Sequence, residues 1–348
     1  MTPHSPAPPP RINLKSRPPG WGRSGHLVVI PARNEAARIA SCLGALGRQG
    51  ADLLVVANNC TDATAQIAAA HGAAVLDCHI AAGGVGAARR LGLAEAMRMA
   101  AGEGTDLRAV LTSDADCLVA PDWLEANLRH LDAGAAAVCG WVLPIAEEHA
   151  LLPPLLLHRA ALEDRFLDLK VALELRLTGS AGHERTPGAS LAFQPEAYTA
   201  AGGFDPVPAH EDRAIILRLK ALGLPVVHAR DVVVRASCRL EGRAPEGMAA
   251  ALRERATDPD APLCPDLGRS EIASVAAVLA TLPPLRLTAD LPGAIAQLEQ
   301  LLSGTLGPRL AGKGTTPRNA RIRKAANNSL SCLPEEQSRT KPRPRQTI

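Results

Sequence analysis

The sequence predicts an α/β fold: a mostly parallel sheet sandwiched by helices, with a small helical appendage towards the C-terminus. Three observations predict it. Short apolar, β-branched runs at 26–30 (HLVVI), 52–57 (DLLVVA) and 109–113 (AVLTS) read as buried strands. Segments with apolar residues at helical spacing alternate with them. Each run ends in a polar turn, and open sheets built from alternating strands and helices bind their ligands at the carboxyl ends of the strands.

In order, Pro31 stops the first strand, and the turn Pro31-Ala32-Arg33-Asn34-Glu35 opens a helix with Ile39, Leu43 and Leu46 on one side. The second strand ends in Asn58-Asn59-Cys60-Thr61-Asp62, followed by a helix to Ala69 and a third short strand at 72–76. Residues 83–100 form a helix behind the stretch Gly83-Gly84-Val85-Gly86, and the central strand at 109–113 follows. Residues 135–143 read as a strand, 154–178 as an amphipathic helix whose outer face could serve a homodimer or an acceptor lid, and 187–193 as a strand after a Pro-Gly turn. His210-Glu211-Asp212-Arg213 starts a helix at 214–222 that Gly223 ends. Strands at 224–229 and 232–236 precede an Ala-rich helical tail reaching about residue 302.

The totals narrow the function. The chain has 348 residues, 47% hydrophobic, 21% charged and only 2% aromatic, so its core is built from Ala, Leu and Val, and stacking of bases on exposed rings is excluded as a theme. The net charge of +3 is local, because ten Lys and Arg between 309 and 348 face only Glu335 and Glu336. That tail reads as a solvated extension, and no nucleic-acid partner is expected. Eight cysteines without a C-x-x-C pair, most of them beside apolar runs, read as small buried hydrophobes in a reducing, cytoplasmic setting. Neither a signal h-region nor a transmembrane run is present. Four segments are expected: a disordered Pro-rich lead at 1–24, a main domain at 25–245, a helical appendage at 246–306 and a disordered basic tail at 307–348.

The chemistry concentrates at Thr112-Ser113-Asp114-Ala115-Asp116. On an extended backbone residues i and i+2 point the same way, so two carboxylates at a strand end would converge on one spot. Such a pair repels itself unless a cation joins it, and a hard divalent metal carrying a diphosphate suits oxygen ligands. A plain helix cap before residue 121 is the bland alternative.

Taken in order, VVIPARNE, VVANNCTDAT, TSDADC, PGASLAF, AGGF and HEDR resemble the nucleotide-sugar-dependent family 2 glycosyltransferases of GT-A fold, over about residues 27–243. The resemblance implies a mostly parallel sheet with a Rossmann-like nucleotide-binding half, and an inverting transfer of sugar from a nucleotide-diphosphate sugar to an acceptor hydroxyl. It assigns Pro31, Arg33, Glu35, Asn58, Arg89 and Asp114 to the donor nucleotide, and Asp116 with Asp114 to a divalent Mg2+ or Mn2+. Asp212 becomes the general base and Glu211 its support or a hold on the acceptor. The sequence departs from the family at Ala57 and Asn58, where acids commonly stand, which leaves the donor base open. A nucleotidyltransferase of related fold, or a non-catalytic nucleotide-sugar-binding protein, are the alternatives.

Of the remaining candidates, the glycines at 83–86 with Arg89 and Arg90 read either as a cover for the donor phosphates or as a plain helix start. Arg235, Arg239 and Arg243 read as a solvated basic edge or a clamp on an anion. His210 is expected beside the base, His228 in a strand, and His158 and His183 on the surface. Trp123 and Trp141 read as core, with a sugar platform as the alternative for Trp141.

Overall fold

The computed structural model describes residues 11–304 apart from 180–184, 243–247 and 259, all inside the first of two compact units, 1–305. The basic tail, Arg243 and His183 lie outside the described residues. Among the described residues nine strands run in chain order: β1 Arg11–Ser16, β2 His26–Ala32, β3 Asp52–Asn58, β4 Ala74–His79, β5 Ala109–Thr112, β6 Cys117–Val119, β7 Ala137–Pro144, β8 Leu191–Phe193 and β9 Val226–Ala236. The α-helices are α1 Ile39–Leu46, α2 Thr64–Ala70, α3 Gly84–Gly102, α4 Trp123–Asp132, α5 Ala146–His149, α6 Pro154–Thr178, α7 Pro195–Ala200, α8 Glu211–Ala221, α9 Met248–Thr257, α10 Ala273–Leu279 and α11 Leu291–Ser303.

The strands form one sheet in the order β1-β4-β3-β2-β5-β8-β7-β9-β6. The four-strand run β4-β3-β2-β5 is parallel, as the alternation predicts. Beyond β5 the sheet is mixed: β8 is antiparallel to both β5 and β7, β7 and β9 are parallel, and β6 returns antiparallel to β9. The expected mostly parallel sheet is therefore confined to the first half.

This order bends the sheet at one place. β5 and β6 are four positions apart, roughly 19 Å in a flat sheet. Five peptide steps from Thr112 to Cys117 reach at most about 17 Å even fully extended. The sheet has to curl so that the end of β5 meets the edge formed by β6 and β9, and the 114–116 segment sits at that meeting point.

Two cores cover the two faces. Ile39, Cys42, Leu43 and Leu46 of α1, with Trp123 and Leu124 of α4, pack on Val28, Ile30, Val55 and Leu111. On the other face α3, α7 and α8 place Leu93, Ala96, Tyr198, Ile215 and Leu219 against Val29, Val56 and Val110. Three of the seven aromatics meet there: Phe193, Tyr198 and Phe204 have ring centroids 5.6–5.9 Å apart and seat the chain that leads into α8.

Three boundaries differ from expectation. Residues 11–16, placed in the unordered lead, pair as β1 with β4, and Trp21 is buried with its indole N–H donating to the Leu53 carbonyl at 2.8 Å. Backbone pairing and one anchored ring hold this segment without a run of buried apolar residues, which is why hydropathy missed it. The two strands at 224–229 and 232–236 are one strand, β9, whose register against β7 shifts between Cys139 and Trp141. Finally, α6 does not stay with the 25–245 unit: Phe166, Leu169 and Leu173 share a third core with Leu263, Val278, Leu291 and Leu298. The appendage at 246–306 is thus built around a helix from within the main domain. No described helix is long and apolar enough to cross a membrane.

Candidate active site

β5 is wholly buried and ends at Thr112, after which Ser113 N–H still donates to Val29 O at 3.2 Å. Asp114-Ala115-Asp116 then forms a tight turn, with Cys117 N–H donating to Asp114 O at 3.1 Å, before β6 begins. The two acids therefore do not alternate on an extended strand as expected. A turn brings them together, and each is met by a different arginine.

Arg89, from the buried side of α3, reaches Asp114 with one terminal nitrogen and Glu211 at the start of α8 with the other. Its side chain is 4% exposed and that of Glu211 2%. Burial alone would lower the Arg89 pKa, but the carboxylates of Asp114, Glu211 and Asp212 outweigh it and hold the guanidinium charged. Gly188 lies flat against this group: a Cβ there would stand 2.6 Å from Cζ and both terminal nitrogens, so only glycine fits. The Gly188 carbonyl accepts the Thr112 hydroxyl at 2.8 Å, and its N–H donates to Asp212 Oδ2 at 2.9 Å. Asp212, half-buried, is thereby tied to the end of β5.

Arg239, just beyond β9, reaches Asp116 Oδ2 at 3.1 Å and Glu35 Oε2 at 2.7 Å. Burial first, and then the charge of Asp114, push the Asp116 carboxyl up to about 6, against the pull of Arg239. The strap carrying Arg239 is fixed by Glu148 of α5, which accepts from Ser237 Oγ at 2.7 Å and Cys238 N–H at 2.9 Å.

Several assignments change in this light. Arg89 is spent on two carboxylates inside the protein and offers nothing to a donor phosphate. Glu211 is buried with it as its ion-pair partner, which leaves its side chain no surface for an acceptor. Arg239 belongs to the site and not to a solvated edge, whereas Arg235 is exposed. Glu35 is buried against Arg239, and its N–H donates to Thr64 Oγ1 at 2.8 Å, locking the turn after β2 to the start of α2. Asn58 turns its amide oxygen to the Ile80 N–H at 3.1 Å, joining the turns after β3 and β4. Pro31 sits half-buried within β2, and Arg33 alone of that turn's donor candidates is exposed.

The glycines at 83–86 do not cradle an anion. They receive the backbone of residues 205–208: a Cβ on Gly83 would stand 2.7 Å from Pro206 O, and one on Gly86 2.7 Å from Val207 O. Gly86 N–H donates to Val207 O at 3.2 Å. This close approach supports the loop that delivers Glu211 and Asp212. His210, immediately before them, adopts φ 66°, a left-handed conformation that costs of order 1 kcal/mol and turns the chain into α8. His158 is exposed on α6, as expected. Trp123 is core, its N–H donating to Ser190 Oγ at 2.9 Å, while Trp141 is only half-buried. Gly188 and Glu148 carry no role in the sequence reading; the signal for Gly188 is the Pro-Gly turn at 187–188, and Thr112 stands out only as the head of the acidic stretch.

Among the described residues no group of three or more His, Cys, Asp or Glu forms a metal cage. A divalent ion of the Mg2+ kind is, however, commonly held by one or two carboxylates plus substrate phosphates. Asp114 and Asp116 are hard oxygen donors, and burial followed by the Asp114 charge raises the Asp116 pKa, a cost that such an ion would relieve, so the pair fits it.

Residues 27–188 match the family described as Glycosyl transferase family 2. No curated protein matches the chain. Among solved structures, a mannosyltransferase, PcManGT from Pyrobaculum calidifontis in complex with GDP-Man and Mn2+, is 20% identical over 91% of this chain and 84% of that one, with a TM-score of 0.44. S. aureus TarS 1-349 is 14% identical over 61% of this chain at a TM-score of 0.42, and the chain spans 60% of its length. Glucosyl-3-phosphoglycerate synthase from Mycobacterium tuberculosis, in complex with Mn2+, UDP and phosphoglyceric acid, is 20% identical over 72% of this chain and 88% of that one, at a TM-score of 0.39.

Proposed function

We propose that the chain, whose residues 27–188 match the glycosyl transferase family 2, transfers a sugar from a nucleotide-diphosphate sugar to an acceptor hydroxyl, with inversion at the anomeric carbon. The observation that carries the reading is the tie between the acidic turn and Asp212. Gly188 bonds Thr112 on one side and Asp212 on the other, while Arg89 fills the space between Asp114 and Glu211.

In this reading Asp212 accepts the proton of the attacking hydroxyl. Its Oδ2 receives the Gly188 N–H and its Oδ1 the Arg213 N–H at 2.7 Å, which orient the carboxylate for proton transfer. Arg89 and Glu211 hold the start of α8 against the turn, so the base cannot drift from the donor side. Asp114 and Asp116 would hold Mg2+ or Mn2+, and Arg239 with Glu35 borders that position. When bound, the ion supplies Lewis-acid stabilisation of the departing diphosphate. One base on one side of the sugar gives a single displacement and therefore inversion.

A thermal-shift panel of UDP-, GDP-, ADP- and dTDP-sugars, each with and without Mn2+, tests the reading. One nucleotide class should raise the melting temperature only when Mn2+ is present. A flat response across the whole panel would refute it.

A further inference from the structure

We propose that Arg185 and Arg230, gathered on the ring of Trp141, form an acceptor subsite for an anionic group, a phosphate monoester or a carboxylate. The inference rests on the reading of Asp212 as the base and adds the class of acceptor that reaches it.

The register shift between β7 and β9 creates the place. It falls between Cys139 and Trp141, so β9 carries extra residues opposite the half-buried ring. Arg230 uses this slack: its Cζ stands 4.6 Å from the Trp141 centroid. Arg185, from the segment ahead of β8, lays its Cζ 4.9 Å from the same centroid. The Arg185 carbonyl accepts from His228 Nδ1–H at 3.1 Å, which pins its backbone to β9. An indole is a rigid support that fixes the plane of a guanidinium, and a fixed planar fork is what bidentate recognition of carboxylate or phosphate requires.

The charges are arranged to receive an anion. Two guanidiniums on one ring repel each other, and an oxyanion between them removes that repulsion. Arg230 is restrained by one contact to Asp168 at 3.3 Å, in which both side chains remain well exposed. Arg185 has no ion-pair partner among the described residues; Asp164 and Glu163 of α6 are the opposing charges that act on it most. A neutral sugar acceptor would ask for an open aromatic face, and here the arginines occupy the ring.

The location suits an acceptor. Arg185 precedes Gly188 by three residues, a span of at most about 11 Å, and Gly188 N–H bonds Asp212. The segment that carries Arg185 thus runs directly into the peptide that bonds Asp212.

The test uses the full chain without divalent metal, so that the acidic turn captures no phosphate. Glycerol 3-phosphate, glycerate and glycerol are titrated by calorimetry and by tryptophan fluorescence. At least one of the two anions should bind about ten-fold or more tighter than glycerol and change a fluorescence signal that Trp141→Phe abolishes; the stronger anion identifies the acceptor chemistry. Arg185→Gln with Arg230→Gln should remove that preference while the nucleotide and Mn2+ thermal shift persists. Arg185→Lys with Arg230→Lys, the milder pair should the first not fold, should weaken the anion by a smaller factor. Equal binding of all three probes, or anion binding unaltered in the Gln or Lys variants, would overturn the proposal and leave the arginines as struts between β7, β9 and α6. Loss of the nucleotide response in the unaltered chain would instead strike the glycosyltransferase reading, so the two failures are distinguishable.

Discussion

Arg89 and Arg239 each join one carboxylate of the 114–116 turn to a carboxylate from a distant element, but in unlike surroundings. On the α3 side Arg89 and Glu211 are sealed, with side chains 4% and 2% exposed, and Gly188 closes the space. On the β9 side Arg239 is 20% exposed, and it sits on a strap beyond the last strand. Burying charges costs several kcal/mol, and removing one partner of a buried pair leaves the other uncompensated. The α3 side is therefore a fixed strut that sets the distance between the turn and Asp212. The β9 side is the more open of the two, and there the acidic turn can be reached from solvent.

Four substitutions probe this contrast. Asp212→Asn keeps the shape of the strut but removes the proton acceptor: transfer should fall by about 10²–10⁴-fold while donor-induced thermal stabilisation is retained. Unchanged turnover would remove Asp212 from the mechanism. Arg89→Gln should cost roughly 3–5 kcal/mol of stability, read as a lowered urea midpoint, because Glu211 and Asp114 lose their shared cation. Gly188→Ala should cost about 1–3 kcal/mol by forcing a methyl onto the guanidinium, with a lower kcat from the displaced Asp212. Arg239→Gln should cost less, about 1–2 kcal/mol, since Arg239 and Asp116 are partly exposed even though Glu35 is buried. If it proves as damaging as Arg89→Gln, the two sides are alike and the contrast fails.

The parallel half of the sheet was legible because buried strands such as residues 52–57 announce themselves by continuous apolar β-branched runs, and α1 by the spacing of Ile39, Leu43 and Leu46. Strand β1 was hidden because its Ile12 and Leu14 are each 43% exposed and its stability comes from backbone pairing, which leaves no hydropathy pattern. Within the site, acids were easier to find than the groups that place them. Asp114, Asp116 and Asp212 stand in motifs, but which carboxylate Arg89 or Arg239 would meet depends on the curl between β5 and β6. Local spacing also misled: glycines at 83–86 look like a phosphate loop, and only the approach of residues 205–208 shows what fills the space above them. Gly188 drew notice as a turn residue, whereas its importance lies in the missing Cβ.

The central claim is that the turn between β5 and β6 holds a divalent ion together with a nucleoside diphosphate. Electron paramagnetic resonance of Mn2+, recorded with and without nucleoside diphosphate, tests it in the unaltered chain and in Asp116→Asn. The account predicts Mn2+ binding that the diphosphate strengthens, weakened by about ten-fold or more in Asp116→Asn at an unchanged melting temperature. Equal Mn2+ binding by the two proteins, or none by either with the diphosphate present, would contradict it.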